Sequence, residues 1–152
     1  MAKVVELKDF PKELEKFTKL TLEQQKQGVV TGIMKSLPDL VAASPVDTGL
    51  YAQSWDFNVT ESAVILGNYA PYAPIVEFGA RPFTPPIYPL LAWAKRVLQD
   101  SSQPPSYSPR VWALARGTQN KIAQYGMQPR HVMTNLLPKI VANIVEELKK
   151  LG

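Results

Sequence analysis

The chain has 152 residues, 45% of them hydrophobic and 20% charged, with a net charge of +4, which suffices for a soluble domain with a sizeable core. The absence of cysteine excludes a disulfide framework and thiolate metal sites. A secretory signal and a membrane span are not expected either, because the first ten residues lack an apolar core and the longest uncharged run, Ser62 to Val76, is interrupted by Pro71 and Pro74.

The chain opens with helix. Asp9 is placed to cap a short one that takes Pro11 in its first turn, and Phe10, Leu14 and Phe17 form its apolar stripe. Thr21 and Gln24 have capping-box spacing for a second helix with the stripe Val29, Val30, Ile33, Met34, Leu37, Leu40 and Val41. Gly28, Gly32 and Pro38 weaken that helix, and a bend is expected near Pro38. Helix is thus predicted over 9–43.

The period then changes. In Ser54–Val59 the apolar Trp55, Phe57 and Val59 alternate with polar residues, as in a strand with one buried face. Thr60–Ser62 can turn it, and 63–67 returns as an antiparallel partner. Tyr69–Phe78 is ambiguous: Tyr72 and Val76 suit a helical turn that Pro71 and Pro74 keep short.

Pro82, Pro85, Pro86 and Pro89 make a stiff connection to a helix carrying Leu90, Leu91, Ala94, Val97 and Leu98. Residues 100–109 are a loop by composition. Ser108 and Pro109 then form an N-cap and first-turn pair for a helix with Trp112, Ala115, Gln119 and Ile122, which Gly126 stops. The last helix has the clearest pattern, from Leu136 and Leu137 through Ile140, Val141, Ile144 and Val145 to Leu148. The expected class is α+β: a small hairpin-based antiparallel sheet against a long N-terminal helix, with further C-terminal helices. The segments are helical 9–43, a sheet core over 50–80, a helical insertion over 83–126 and a C-terminal helix over 130–151, read as one domain over 1–152.

Charge is unevenly distributed. Residues 39–80 hold five acidic side chains and no basic one, whereas 81–130 hold Arg81, Lys95, Arg96, Arg110, Arg116, Lys121 and Arg130 against a single acid, Asp100. Such a split bears on electrostatic partners rather than on fold. The two stretches either complement each other within one subunit or meet across a subunit interface.

Ser44–Leu50, SPVDTGL, is the most informative run. Pro45 blocks continuation of the preceding helix, Asp47 can bond nearby backbone amides, and Gly49 supplies a positive φ if the turn needs one. The physics describes a rigid corner. Glu77, inside an apolar run, is more readily understood as a capping or paired carboxylate, with Arg81 as a candidate partner, than as a catalytic one. His131 is the only histidine, and no histidine pair or Gly-rich phosphate loop is present. No catalytic residue, metal ligand or cofactor site is therefore assigned.

Pro45, Val46, Asp47, Thr48 and Gly49, then Ser54–Trp55 at the head of a strand, then Tyr69-Ala-Pro-Tyr72 leading to Glu77 and Gly79, resemble the neck or tail-completion proteins of tailed bacteriophages, including the minor tail protein Z-like group. Gln128-Pro-Arg130 and the final helix are similar to that family's C-terminal end. Two features depart from the pattern. The stretch from about 83 to 125 is longer than the family's minimal form, and Leu50–Gln53 lacks the basic residue that often follows Thr-Gly.

The resemblance implies a non-enzymatic virion protein at the head–tail junction, made in the host cytoplasm. It implies a homo-oligomeric ring, often sixfold, beside connector, tail-terminator or tail-tube proteins, with phage DNA in transient, non-specific contact. The motif residues Pro45, Asp47, Thr48, Gly49, Trp55, Tyr72, Glu77 and Gly79 are then structural, and the seven basic residues of 81–130 become candidates for subunit contact or channel lining. The alternative is a basic nucleic-acid-binding protein, in which those cations meet phosphates and Tyr88, Trp93, Tyr107, Trp112 and Tyr125 stack on bases.

Overall fold

The computed structural model describes residues 10–152, apart from the side chains of Glu13 and Leu14. Asp9, the expected first cap, lies outside the described residues. Helix α1 runs Phe10–Glu15. Phe17, expected on its stripe, falls just beyond its end and is nevertheless buried. Gln25 Nε2 donates to the carbonyls of Phe17 and Leu20, each at 3.2 Å, and so holds the connecting turn against the next helix.

Helix α2 spans Leu22–Ala43. Its capping box forms as expected: Gln24 N donates to Thr21 Oγ1 at 3.2 Å, and Thr21 N donates to Gln24 Oε1 at 3.0 Å. The helix continues through Pro38. Pro38 and Met34, the residue whose carbonyl loses its amide partner, are both exposed, so water can serve that carbonyl.

The buried face of α2 overlaps the expected stripe at Ile33 and Leu40 but is turned away from the rest of it. Met34 and Val41 are exposed, and the face that packs is Gly28, Gly32, Ile33, Ser36 and Leu40. Helix α7, Val132–Leu151, lies antiparallel along it. A Cβ on Gly32 would stand 2.5 Å from Ile144 Cα, and one on Gly28 would stand 2.6 Å from Leu148 Cδ2. The glycines that weaken helix propensity are what admit the neighbouring backbone. Asn143 Nδ2 donates to Ser36 Oγ at 2.8 Å, and Ser36 Oγ donates in turn to the Gly32 carbonyl at 2.9 Å. On α7 the expected stripe is buried from Ile140 to Leu148, while Leu136 and Leu137 are only half-buried. Leu40 and Leu148 are essentially inaccessible, and each contributes about 1.5–3 kcal/mol by burial.

A short helix, α3 (Leu50–Gln53), leads into strand β1 (Trp55–Val59), which pairs antiparallel with β2 (Val64–Asn68) in the register Trp55↔Asn68, Phe57↔Leu66, Val59↔Val64. Thr60 closes the hairpin: its Oγ1 accepts from Ala63 N at 3.0 Å. The hairpin lies against α2. Burial along β1 fades from Trp55 through a half-buried Phe57 to an exposed Val59, so the alternation is real but only its first position is core.

Helices α4 (Ala73–Phe78), α5 (Ile87–Leu98) and α6 (Pro109–Tyr125) complete the chain before α7. Ser108 caps α6, accepting from Val111 N, with Pro109 behind it, and Gly126 ends it at φ 71°. Leu91 and Ala94 of α5 pack on Val111 and Ala115 of α6.

The class is α+β. Contacts gather into two compact units: the chain up to Ala73 with His131–Gly152, and Pro74–Arg130. The helical insertion read over 83–126 lies inside the second. Among the described residues no helix is long and apolar enough to cross a membrane.

Candidate functional site

The motif residues of the first unit converge on the corner between α2 and the hairpin. Ser44 ends α2 and is buried; its Oγ donates to the Leu40 carbonyl at 2.6 Å and accepts from Trp55 Nε1 at 2.8 Å. The indole, 8% exposed, thus satisfies its one donor on the residue that terminates the helix. Pro45 stops the helix, and Thr48 Oγ1 accepts from Leu50 N at 3.4 Å. Gly49 sits at φ 84°, a left-handed conformation costly for a residue with a Cβ, and its carbonyl accepts from Gln53 N to start α3. Asp47 is exposed.

Helix α3 brings Tyr51 inward. Tyr51, 2% exposed, meets Trp55 edge-on at 5.7 Å and stacks on Tyr72 at 6.2 Å. Asn68 Nδ2 donates to the Tyr51 carbonyl at 2.7 Å, and Asn68 Oδ1 accepts from Ala70 N at 3.0 Å. Tyr51, just after the Pro-Val-Asp-Thr-Gly corner, thus joins the strand tryptophan to Tyr72 of the Tyr-Ala-Pro-Tyr segment in one aromatic joint. The roles of Ser44, which opens the Ser44–Leu50 run, and of Tyr51 and Asn68 were not legible in the sequence. Tyr51 alone had a signal, as an aromatic residue two positions after Gly49, but four residues are too few for a helical period.

In the second unit Gly79 has φ 73°, and a Cβ there would lie 2.4 Å from the Met127 carbonyl. The two segments are tied by Ala80 N to Met127 O and Met127 N to Ala80 O, each 2.9 Å, and by Arg130 N to Val76 O at 2.8 Å. Glu77 is buried at 8% exposure and has a partner. Among the described residues no group of three His, Asp or Glu side chains is placed to hold a metal ion. His131 is exposed, at φ 50°, just ahead of α7.

Six of the seven basic candidates, Arg81, Arg96, Arg110, Arg116, Lys121 and Arg130, are exposed, and Lys95 is half-buried with its Nζ 3.2 Å from Gln103 Oε1. The guanidinium of Arg116 lies over the Trp112 ring at 5.6 Å. Asp100 accepts from Ser102 N at 2.8 Å and Ser108 Oγ at 2.7 Å. These serine bonds, with a smaller contribution from the charge of Arg110, hold its carboxyl below the ordinary range.

In the first unit Asp39 pairs with Lys139 of α7 at 2.8 Å. Glu147 accepts from Lys150 at 2.7 Å and from Lys35, contacts that lower its pKa and raise that of Lys150. Of the five acids in 39–80, Asp47, Asp56 and Glu61 are exposed. Compared with protein-family models, curated proteins and solved structures, the chain matches none.

Proposed function

We propose that this chain is a non-enzymatic structural protein of a tailed-phage virion. It occupies the neck or upper tail as one subunit of a sixfold ring beside connector, tail-terminator or tail-tube proteins, with DNA passing through. The observation that carries this reading is the aromatic joint. Trp55 and Tyr72, from the two segments that resemble the neck and tail-completion family, both contact Tyr51, which directly follows the Pro45–Gly49 corner, and the Ser44–Trp55 hydrogen bond ties the strand to the end of α2. Each of those residues acts by fixing backbone direction. A subunit that must present two complementary faces to its neighbours needs such rigidity between its elements.

The test is deletion of the gene from the phage that encodes it, followed by electron microscopy of the lysate. Filled heads and unjoined tails, or tails with malformed upper ends, are expected, with joining restored by the wild-type gene in trans. Normal infectious particles would overturn the reading.

A further inference from the structure

We infer that the Pro74–Arg130 unit carries a sequence-independent binding surface for double-stranded DNA, centred on the outer face of α6. The unit holds seven basic side chains and two acidic ones, a net of +5, whereas the rest of the chain holds ten basic and eleven acidic, a net of −1. Glu77 is buried, and Asp100, bonded to Ser102 and Ser108, acts on Arg110 only as a minor electrostatic contribution, so the net excess of positive charge on the unit stands. Helix α6 itself contains no acidic residue over seventeen positions.

Its exposed face reads Arg110, Ala113, Gly117, Lys121 and Gln124 at helical spacing. The two cations are separated by three turns, about 16 Å along the axis, with the half-buried Leu114 and the exposed Ala113 and Gly117 between them. A Cβ on Gly117 would meet nothing within 4 Å, so a broad partner can come down onto the helix between the charges. A single phosphate cannot reach both ends of that face; a polymer with a phosphate every ~3.4 Å along each strand can. Arg116 adds a third cation, its guanidinium held over Trp112. Tyr125, 69% exposed, ends the helix; its hydroxyl is a further donor to phosphate. Before Tyr125, α6 exposes no large apolar side chain, which argues against a membrane surface as the partner.

The surface does not depend on the head–tail reading, and either can fail without the other. The experiment titrates the full-length protein into a fluorescent duplex of mixed sequence at salt concentrations from ~50 to ~200 mM. Wild type is expected to bind with a Kd of roughly 10⁻⁴–10⁻⁶ M near physiological salt, weakening steeply as salt rises. The double variant Arg110→Glu/Lys121→Glu should bind at least about tenfold more weakly, with a log–log salt slope shallower by about 2. Lys149→Glu, an exposed change in the other unit, should leave binding as in wild type. If circular dichroism shows the double reversal unfolded, Arg110→Gln/Lys121→Gln is read instead, with the same direction expected. The inference is overturned by no binding at the lowest salt, by a double variant that binds like wild type, or by Lys149→Glu weakening binding equally. Competition by poly-glutamate as effective as that by DNA would also overturn it, by making the partner an acidic protein surface.

Discussion

The unit formed by α2, α7, α3 and the hairpin differs from the α5–α6 unit in where its sequence information lies. In the first, two long helices meet through Gly28, Gly32 and Ser36, and its carboxylates Asp39 and Glu147 are matched by Lys139, Lys35 and Lys150. In the second, a core centred on Leu91, Ala94, Val111 and Ala115 supports an outward cationic surface. One unit is built around the complementary faces of α2 and α7, with ion pairs between them. The other is built around a small core and carries an excess of exposed basic side chains. The contrast teaches that net charge per compact unit is more informative than the +4 of the whole chain.

Core truncation tests the contrast most severely. Leu40→Ala and Leu91→Ala should each cost roughly 2–5 kcal/mol. Residue-resolved hydrogen exchange should then show Leu40→Ala loosening α2 and α7, and Leu91→Ala loosening α5 and α6. If either variant lowers protection equally in all four helices, the two units unfold as one and the comparison is thermodynamically empty.

Gly32→Ala comes next. Alanine improves helix propensity by about 1 kcal/mol, yet its Cβ would press on the Ile144 backbone, so a net loss of about 1–3 kcal/mol is expected in urea titration. A neutral or stabilising result would mean α7 shifts freely and the close approach is incidental. Trp55→Phe removes the donor that Ser44 accepts and should cost about 1–2 kcal/mol, measured in the same way.

Surface charge should matter least. Asp39→Asn breaks the pair with Lys139 and is worth about 0.2–1 kcal/mol, shrinking as salt is added. Asp100→Asn should have a small effect with a distinct pH signature. Because the folded carboxyl is held below its ordinary value, its stabilisation is present above that value and is lost as pH falls through the folded pKa. Thermal melts of variant and wild type should therefore differ at neutral pH and converge in acid.

Features set by a few neighbouring residues were legible in the sequence. The Thr21–Gln24 capping box, the Ser108–Pro109 start and Gly126 stop of α6 and the hairpin turn at Thr60 depend on contacts within about one turn, and the apolar stripe of α7 on a period repeated over several turns. The α+β class followed from them. So did the end of α2 ahead of Pro45 and the positive φ of Gly49, because proline and glycine act through their own φ angles.

Only the tertiary structure decided which face of α2 is buried, that Tyr51 joins Trp55 to Tyr72, and that Ser44 anchors the indole. Hydropathy counts the apolar side chains that a helix offers. The contact here forms where side chains are absent, so Gly28 and Gly32 looked like weaknesses until α7 lay against them. Polar residues such as Ser36, Ser44 and Asn68 are likewise silent in a periodic pattern, because their roles depend on partners distant in sequence that folding brings within hydrogen-bond reach.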